Sequence, residues 1–173
     1  MSLAGDDFRH MTKVLRLVIG DEVTLFDGKG ASAQGQIIST DKKTVNIKLG
    51  KNTKQLPRQI GRIIIASSVA KSDRFETLIA KCTELGVDAI CPVIYERTVK
   101  QAAGKNSIQR YEKIVLESVK QCGRNFLTEI ISPKPLNQAI EDLKNEYPKA
   151  NLMFGSLNAK ARSMASLKFD FNS

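Results

Sequence analysis

The sequence has no tryptophan and a single histidine, His10. Its three cysteines, Cys82, Cys91 and Cys122, are odd in number, far apart and without any C-x-x-C spacing. That set argues against a zinc site of the usual Cys/His kind and against a disulfide framework, and it fits a reducing cytoplasm. Cys82 and Cys122 fall on apolar helical stripes and read as small buried hydrophobes. No stretch approaches the roughly 20 consecutive apolar residues that a membrane-spanning helix needs, and residues 1–16 lack the apolar segment of a secretory signal. Acidic side chains are in the minority: 18 Asp and Glu against 27 Lys and Arg leave a formal net charge of +9. Such a balance favours a polyanionic partner, with a merely soluble basic surface as the plainer alternative. What is present, 173 residues of which 42% are apolar, suffices for one or two small domains with a real core.

The chain is organised around residues 71–87, KSDRFETLIAKCTELGV. Ser72 can cap a helix, and Phe75, Ile79, Cys82 and Leu85 recur at three- and four-residue steps, predicting one buried stripe. Gly86 supplies a left-handed terminator. Apolar runs at 62–68 and 88–93 flank this helix, so a βαβ unit with two parallel strands buried on both faces is expected. Beyond the second strand, Arg97 is expected at the crevice where open α/β sheets bind ligands.

Ahead of this unit the pattern changes. Asp6 and Asp7 can cap a short helix running through Leu15, with Met11, Val14 and Leu15 inward. Arg9, Lys13 and Arg16 then share an outer face, either a solvated stripe or a phosphate-contacting one. Residues 22–26, 31–39 and 44–49 alternate and are separated by Gly/Asp turns at 27–30 and 40–43, which predicts antiparallel hairpins closing into a compact barrel or curled sheet. The 27–30 stretch joins strand to strand and reads as a hairpin turn, not a phosphate loop. Residues 51–58, polar and basic with Pro57, read as a linker. The expected division is 1–56, a linker at 57–61, and 62–173.

In the second half, Ile108, Tyr111, Val115, Val119 and Cys122 define another amphipathic helix, with Glu117, Gln121 and Arg124 on its polar edge. A strand over 127–131, a helix over 136–146 ended by Pro148, and a short strand over 151–155 complete the reading.

Three stretches carry a family resemblance. The run His10 to Arg16 followed by Gly20-Asp21 and Phe26-Asp27-Gly28, then Lys71, Glu76, Lys81 and Glu84-Leu85-Gly86-Val87 before Pro92, and last Glu117-Ser-Val-Lys120-Gln121-Cys-Gly-Arg124 resemble, in that order along the chain, the motifs of RsmE-type methyltransferases. These belong to the SPOUT class and modify a uridine at N3 in 16S rRNA of the small subunit. Lys120 departs from the signature Glu-Ala-x-Glu-Gln-x-x-Arg, where an acidic residue is common. The resemblance implies an α/β protein: an N-terminal PUA-like small β-barrel domain, then a SPOUT (α/β knot) parallel-sheet domain. It implies Gln121 and Arg124 at the substrate uridine, and Arg9, Lys13, Arg16, Lys71 and Arg97 on the RNA. Gly155, Ser156 and Leu157 would line the S-adenosylmethionine pocket, without a metal, in a cytoplasmic homodimer. The family commonly has a strand ahead of the first helix, expected here to be absent or outside the sequence. It also continues with a Gly-Pro-Glu-Gly-Gly loop and a Leu-Arg-x-Glu-Thr-Ala segment that this chain does not contain, so a truncated chain with an incomplete cofactor pocket and untied knot is expected. The alternatives are a non-catalytic basic RNA-binding module and an α/β nucleotide- or metabolite-binding protein.

Overall fold

The computed structural model describes residues 1–57, 61–70, 72–95, 105–158 and 160–167. The chain divides into two compact units, Met1–Pro57 with Val119–Leu127, and Arg58–Ser118 with Thr128–Ser173. Among the described residues no helix is long and apolar enough to cross a membrane, and no group of three His, Cys, Asp or Glu residues could hold a metal ion.

The first unit is built on a four-stranded antiparallel sheet of β1 (Ser2–Ala4), β2 (Glu22–Phe26), β3 (Ala31–Thr40) and β4 (Thr44–Lys54), in the order β1-β4-β3-β2. The alternation Val45-Asn-Ile47-Lys puts valine and isoleucine on one buried face, where Ile37 and Met11 join them. Leu3, Phe8, Leu17, Val23 and Leu25 pack around that cluster. Burying a side chain of this kind is worth roughly 1.5–3 kcal/mol. The 40–43 turn is fixed by Asp41, whose carboxylate accepts the amides of Lys43 and Thr44 at 2.8 Å each and the Thr44 hydroxyl at 2.7 Å. Those three donors hold the Asp41 carboxyl below the usual carboxylate range.

Three expectations for this region are corrected. The N-terminal strand is present: Ser2–Ala4 pairs with Thr44 to Asn46, and the Met1 ammonium donates to the Ile47 carbonyl at 2.9 Å, so the edge of β4 is occupied. The first helix is short, α1 (Gly5–Arg9), with Ala4 at the N-cap and Asp6 and Asp7 inside the first turn, where they face the positive end of the helix dipole. It widens into a π-turn over His10–Val14, so Val14 and Leu15 swing outward and stand 67% and 53% exposed. Residues 51–54, read as linker, extend β4 against Ala31 to Ala33 of β3.

The second unit is the expected crossover sheet. Parallel strands β5 (Ile64–Ser68) and β6 (Ala89–Ile94) are joined by α2 (Ser72–Leu85), and Gly86 ends that helix at φ 91°. β6 is central and buried from Ala89 through Val93, which an all-parallel sheet requires. Its other neighbour is a broken strand: β7 (Glu129–Ile130) and β8 (Lys134–Pro135) both pair with β6 in parallel. The strand expected over 127–131 begins late because the Leu127 amide bonds to the Gly28 carbonyl within the first unit.

α4 (Leu136–Glu146) lays Ala139 on Cys91 and Val93, with Ile131 and Leu136 beside them. α2 meets the N-terminal part of α3 (Lys105–Cys122) through Phe75 and Tyr111, whose rings are 5.1 Å apart and edge to face. The stripe of α2 holds at Phe75 and Ile79, both buried, and fails at Leu85, which is 83% exposed. Leu85 is the last helical residue, one step before the chain reverses at Gly86. Cys122 is likewise exposed at the last turn of α3, so only Cys91 of the three thiols is buried.

Polar anchors fix the ends of these elements. Arg62 bonds both Glu129 and the Tyr147 hydroxyl, and its guanidinium stacks 5.6 Å from the Tyr147 ring. Burial works against its charge, but those partners hold its pKa above the ordinary value. The Asp88 carboxylate accepts the Ile63 amide at 2.8 Å, and buried Thr128 donates to the Val87 carbonyl at 2.8 Å.

Lys134 and Gln138 both donate to Asp142, holding its carboxyl below the usual range. A depressed carboxylate contributes stability above its unfolded pKa, about 3.9, and loses it as pH falls through the lower folded value. We expect Asp142→Asn to flatten the acid limb of stability below about pH 4 while leaving its shape at neutral pH unchanged. Urea unfolding at stepped pH measures this, and an unaltered acid limb refutes it.

Candidate functional site

The signature segment at the end of α3 is built by a helix stop. Gly123 adopts φ 70°, a left-handed conformation that glycine takes without strain, and its amide bonds to the Val119 carbonyl at 3.0 Å. Gln121 therefore lies on the last helical turn, exposed, while Arg124 lies past the helix and half-buried. The expected single edge of Glu117, Gln121 and Arg124 is corrected here, because the helical pitch stops at Cys122.

The segment after that stop is held by the first unit's hairpin turn. The Gly30 amide donates to the Asn125 carbonyl at 2.9 Å, and the Leu127 amide to the Gly28 carbonyl at 3.0 Å. Lys29 and Phe126 form an antiparallel bridge. The Asn125 amide group reaches the Gln55 side chain at 3.3 Å. Backbones approach closely: a Cβ on Gly30 would sit 2.5 Å from both the Gln55 carbonyl oxygen and the Phe126 ring, and one on Gly28 would sit 2.7 Å from Leu127. One turn earlier, the Lys120 ammonium pairs with Asp7 of α1 at 3.1 Å.

Arg9, Lys13 and Arg16 are all exposed in the same unit. They do not form a regular helical stripe. Lys13 falls in the π-turn, where the Leu15 amide bonds to the His10 carbonyl at 2.9 Å, and Arg16 follows at φ 55°, a left-handed conformation that is sterically disfavoured for residues bearing a Cβ. Arg9 makes a loose 3.8 Å contact with Asp6. Lys71 and Arg97 lie outside the described residues.

Residues 151–155 form no strand. Leu152, Met153, Phe154 and Leu157 are exposed, and a Cβ on Gly155 would meet nothing within 4 Å. Within the second unit Gly155, Ser156 and Leu157 therefore make an open ledge. S-adenosylmethionine needs walls on both sides of its base and its methionine arm, and these three residues alone do not enclose it.

Sequence reasoning missed the role of the 27–30 turn and of Asp7. The available signal was the pair of glycines around Lys29, read correctly as a hairpin, and the departure from an acid at position 120.

A strand-rich basic unit with a parallel crossover unit is the arrangement that two protein families match in order. The PUA domain of RNA methyltransferases matches residues 3–50, and the RNA methyltransferase domain matches residues 57–169. The chain belongs to the RNA methyltransferase family. Relatives include the ribosomal RNA small subunit methyltransferase E of Synechocystis sp., 28% identical over 92% of this chain and 52% of that protein, and its namesake in Buchnera aphidicola, 29% identical over 86% of this chain and 62% of that protein. Among solved structures, ribosomal RNA small subunit methyltransferase E from Neisseria gonorrhoeae bound to S-adenosyl methionine superposes with TM-score 0.73 at 27% identity, over 82% of this chain and 59% of that one. A Legionella pneumophila structure with the bound cofactor SAM gives TM-score 0.75 at 27% identity, over 82% of this chain and 60% of that one. The chain thus spans between half and two thirds of the length of these relatives.

Proposed function

We propose that the protein is a S-adenosylmethionine-dependent methyltransferase acting on N3 of a uridine in 16S rRNA. The observation that carries this reading is the ordered match of a PUA domain and an RNA methyltransferase domain along one chain; Gln121 on the last turn of α3 and Arg124 just past it are the residues it assigns to the base.

The chemistry asks for groups of this kind. Uracil N3 carries a proton and is a poor nucleophile at neutral pH. A guanidinium beside O2 or O4 stabilises the anion that develops as the proton leaves, an oxyanion-type contribution of roughly 3–4 kcal/mol for one good donor. Arg124 is the residue for that role. Gln121, with one carbonyl and one amide, fixes the base through its edge. Holding N3 in line with the incoming methyl supplies more, on the order of 7–11 kcal/mol at best. S-adenosylmethionine supplies the electrophilic methyl when bound. Arg9, Lys13 and Arg16, with Lys71 and Arg97, grip phosphates and make binding steeply salt-dependent. A homodimer in the cytoplasm, where rRNA is modified, completes the proposal.

The test is methyl transfer by the full-length protein to small-subunit rRNA, with the modified base identified by mass spectrometry. Methyl at uridine N3 supports the reading, and methyl on another atom or none at all defeats it. A second reading, a non-catalytic RNA-binding module, rests on the exposed basic residues Arg9, Lys13 and Arg16 of the first unit. Calorimetry separates the two: heat of S-adenosylmethionine binding to the full-length protein is expected under the first, and salt-steep RNA binding with no cofactor heat under the second.

A further inference from the structure

The 27–30 hairpin and the Asp7–Lys120 pair touch the same short segment from two sides. Asp27 holds the hairpin in shape: its carboxylate accepts the Lys29 amide at 2.7 Å and the Ala31 amide at 2.9 Å. The hairpin in turn binds the backbone on either side of Phe126, through Gly30 to Asn125 and Gly28 to Leu127. Asp7 binds the last helical turn through Lys120. Between these two attachments lie Gln121 and Arg124 and the glycine stop at Gly123.

We propose that Asp7 and Lys120, together with the 27–30 hairpin, are a two-point clamp that positions Arg124 for the uracil. Asp7 and Lys120 are positioning residues and touch no substrate. The assignment of Arg124 rests on the reading under Proposed function; the clamp itself rests on the contacts. Gly123, the most permissive residue in the segment, would otherwise let Arg124 pivot about the end of α3. A hydrogen-bonded pair on one side of it and a bridged backbone on the other remove that freedom. The arrangement also suits the lysine at position 120: with Asp7 opposite, an acidic residue there would bring two negative charges near one another, where they repel.

The test uses the full-length protein in three forms, Lys120→Asp, Asp7→Lys, and both together. Each single change sets like charges against one another, and the double change restores an opposite-charge pair with its sense reversed. Each single variant is expected to lose on the order of tenfold in kcat, since small misplacements of a catalytic group are costly, with KM for RNA unchanged in Lys120→Asp. The double variant is expected to regain most of the loss. Singles that keep wild-type kcat, or a double no better than the singles, overturn the proposal. Hydrogen exchange provides a readout independent of activity: the Leu127 and Gly30 amides should exchange faster in the singles and recover in the double. Were the wild-type protein to transfer no methyl group while this exchange pattern held, the clamp would stand and the uridine reading would fall. Unchanged exchange in all three variants removes the clamp whatever the activity.

Discussion

Arg124→Ala should abolish methyl transfer and leave RNA binding nearly intact. Removing one donor aimed at developing negative charge costs roughly 10²–10³ in turnover. A phosphate contact behaves differently: its loss weakens binding uniformly and lowers the salt slope by about one. Arg124 lies beyond the helix stop at Gly123 and belongs to neither apolar cluster, so its truncation leaves those clusters intact. Single-turnover methylation and filter binding at several salt concentrations give the two numbers. Equal loss of both would reassign Arg124 to the phosphate backbone, and retention of both would remove it from the site.

The second large effect is on stability. Phe75 is 1% exposed, and its ring meets Tyr111 edge to face at 5.1 Å. Truncation to alanine leaves a cavity where α2 meets α3, at about 3–5 kcal/mol. Loss of the aromatic pair adds about 0.5–1.5 kcal/mol. Against a total stability of roughly 5–15 kcal/mol for a domain, Phe75→Ala should bring the second unit to the edge of unfolding. Thermal unfolding followed by circular dichroism measures this. A midpoint within about 2 °C of wild type would mean the site collapses to fill the space or carries little of the load.

The contrast between these two residues shows what was legible from sequence. The apolar period of α2 gave Phe75 and Ile79 directly, since a buried stripe is a local pattern read along one helix. The flanking β-rich runs gave β5 and β6 for the same reason. The failures cluster where local pattern stops. Leu85 and Cys122 are the last residues of their helices, where the packing partners run out, and Val14 and Leu15 lie where the helix has widened into a π-turn, so all four are exposed although they continue an apolar period. Arg124 kept its place in a motif but lost its place on a helix edge, because one glycine redirects the chain. Residues 151–155 have strand composition but no strand, since β-structure requires a partner that composition does not supply. The clamp on residues 119–127 was invisible for a related reason: Asp7 and Lys120 are 113 residues apart, and nothing in either neighbourhood announces the other.

The broken strand β7–β8 has one further consequence. Pro133 interrupts it and Pro135 closes it. Neither residue carries an N–H, so this broken strand has fewer backbone donors to offer an extended chain than an uninterrupted strand would. A short strand poor in donors is a weak template for the edge-to-edge pairing that builds insoluble ribbons.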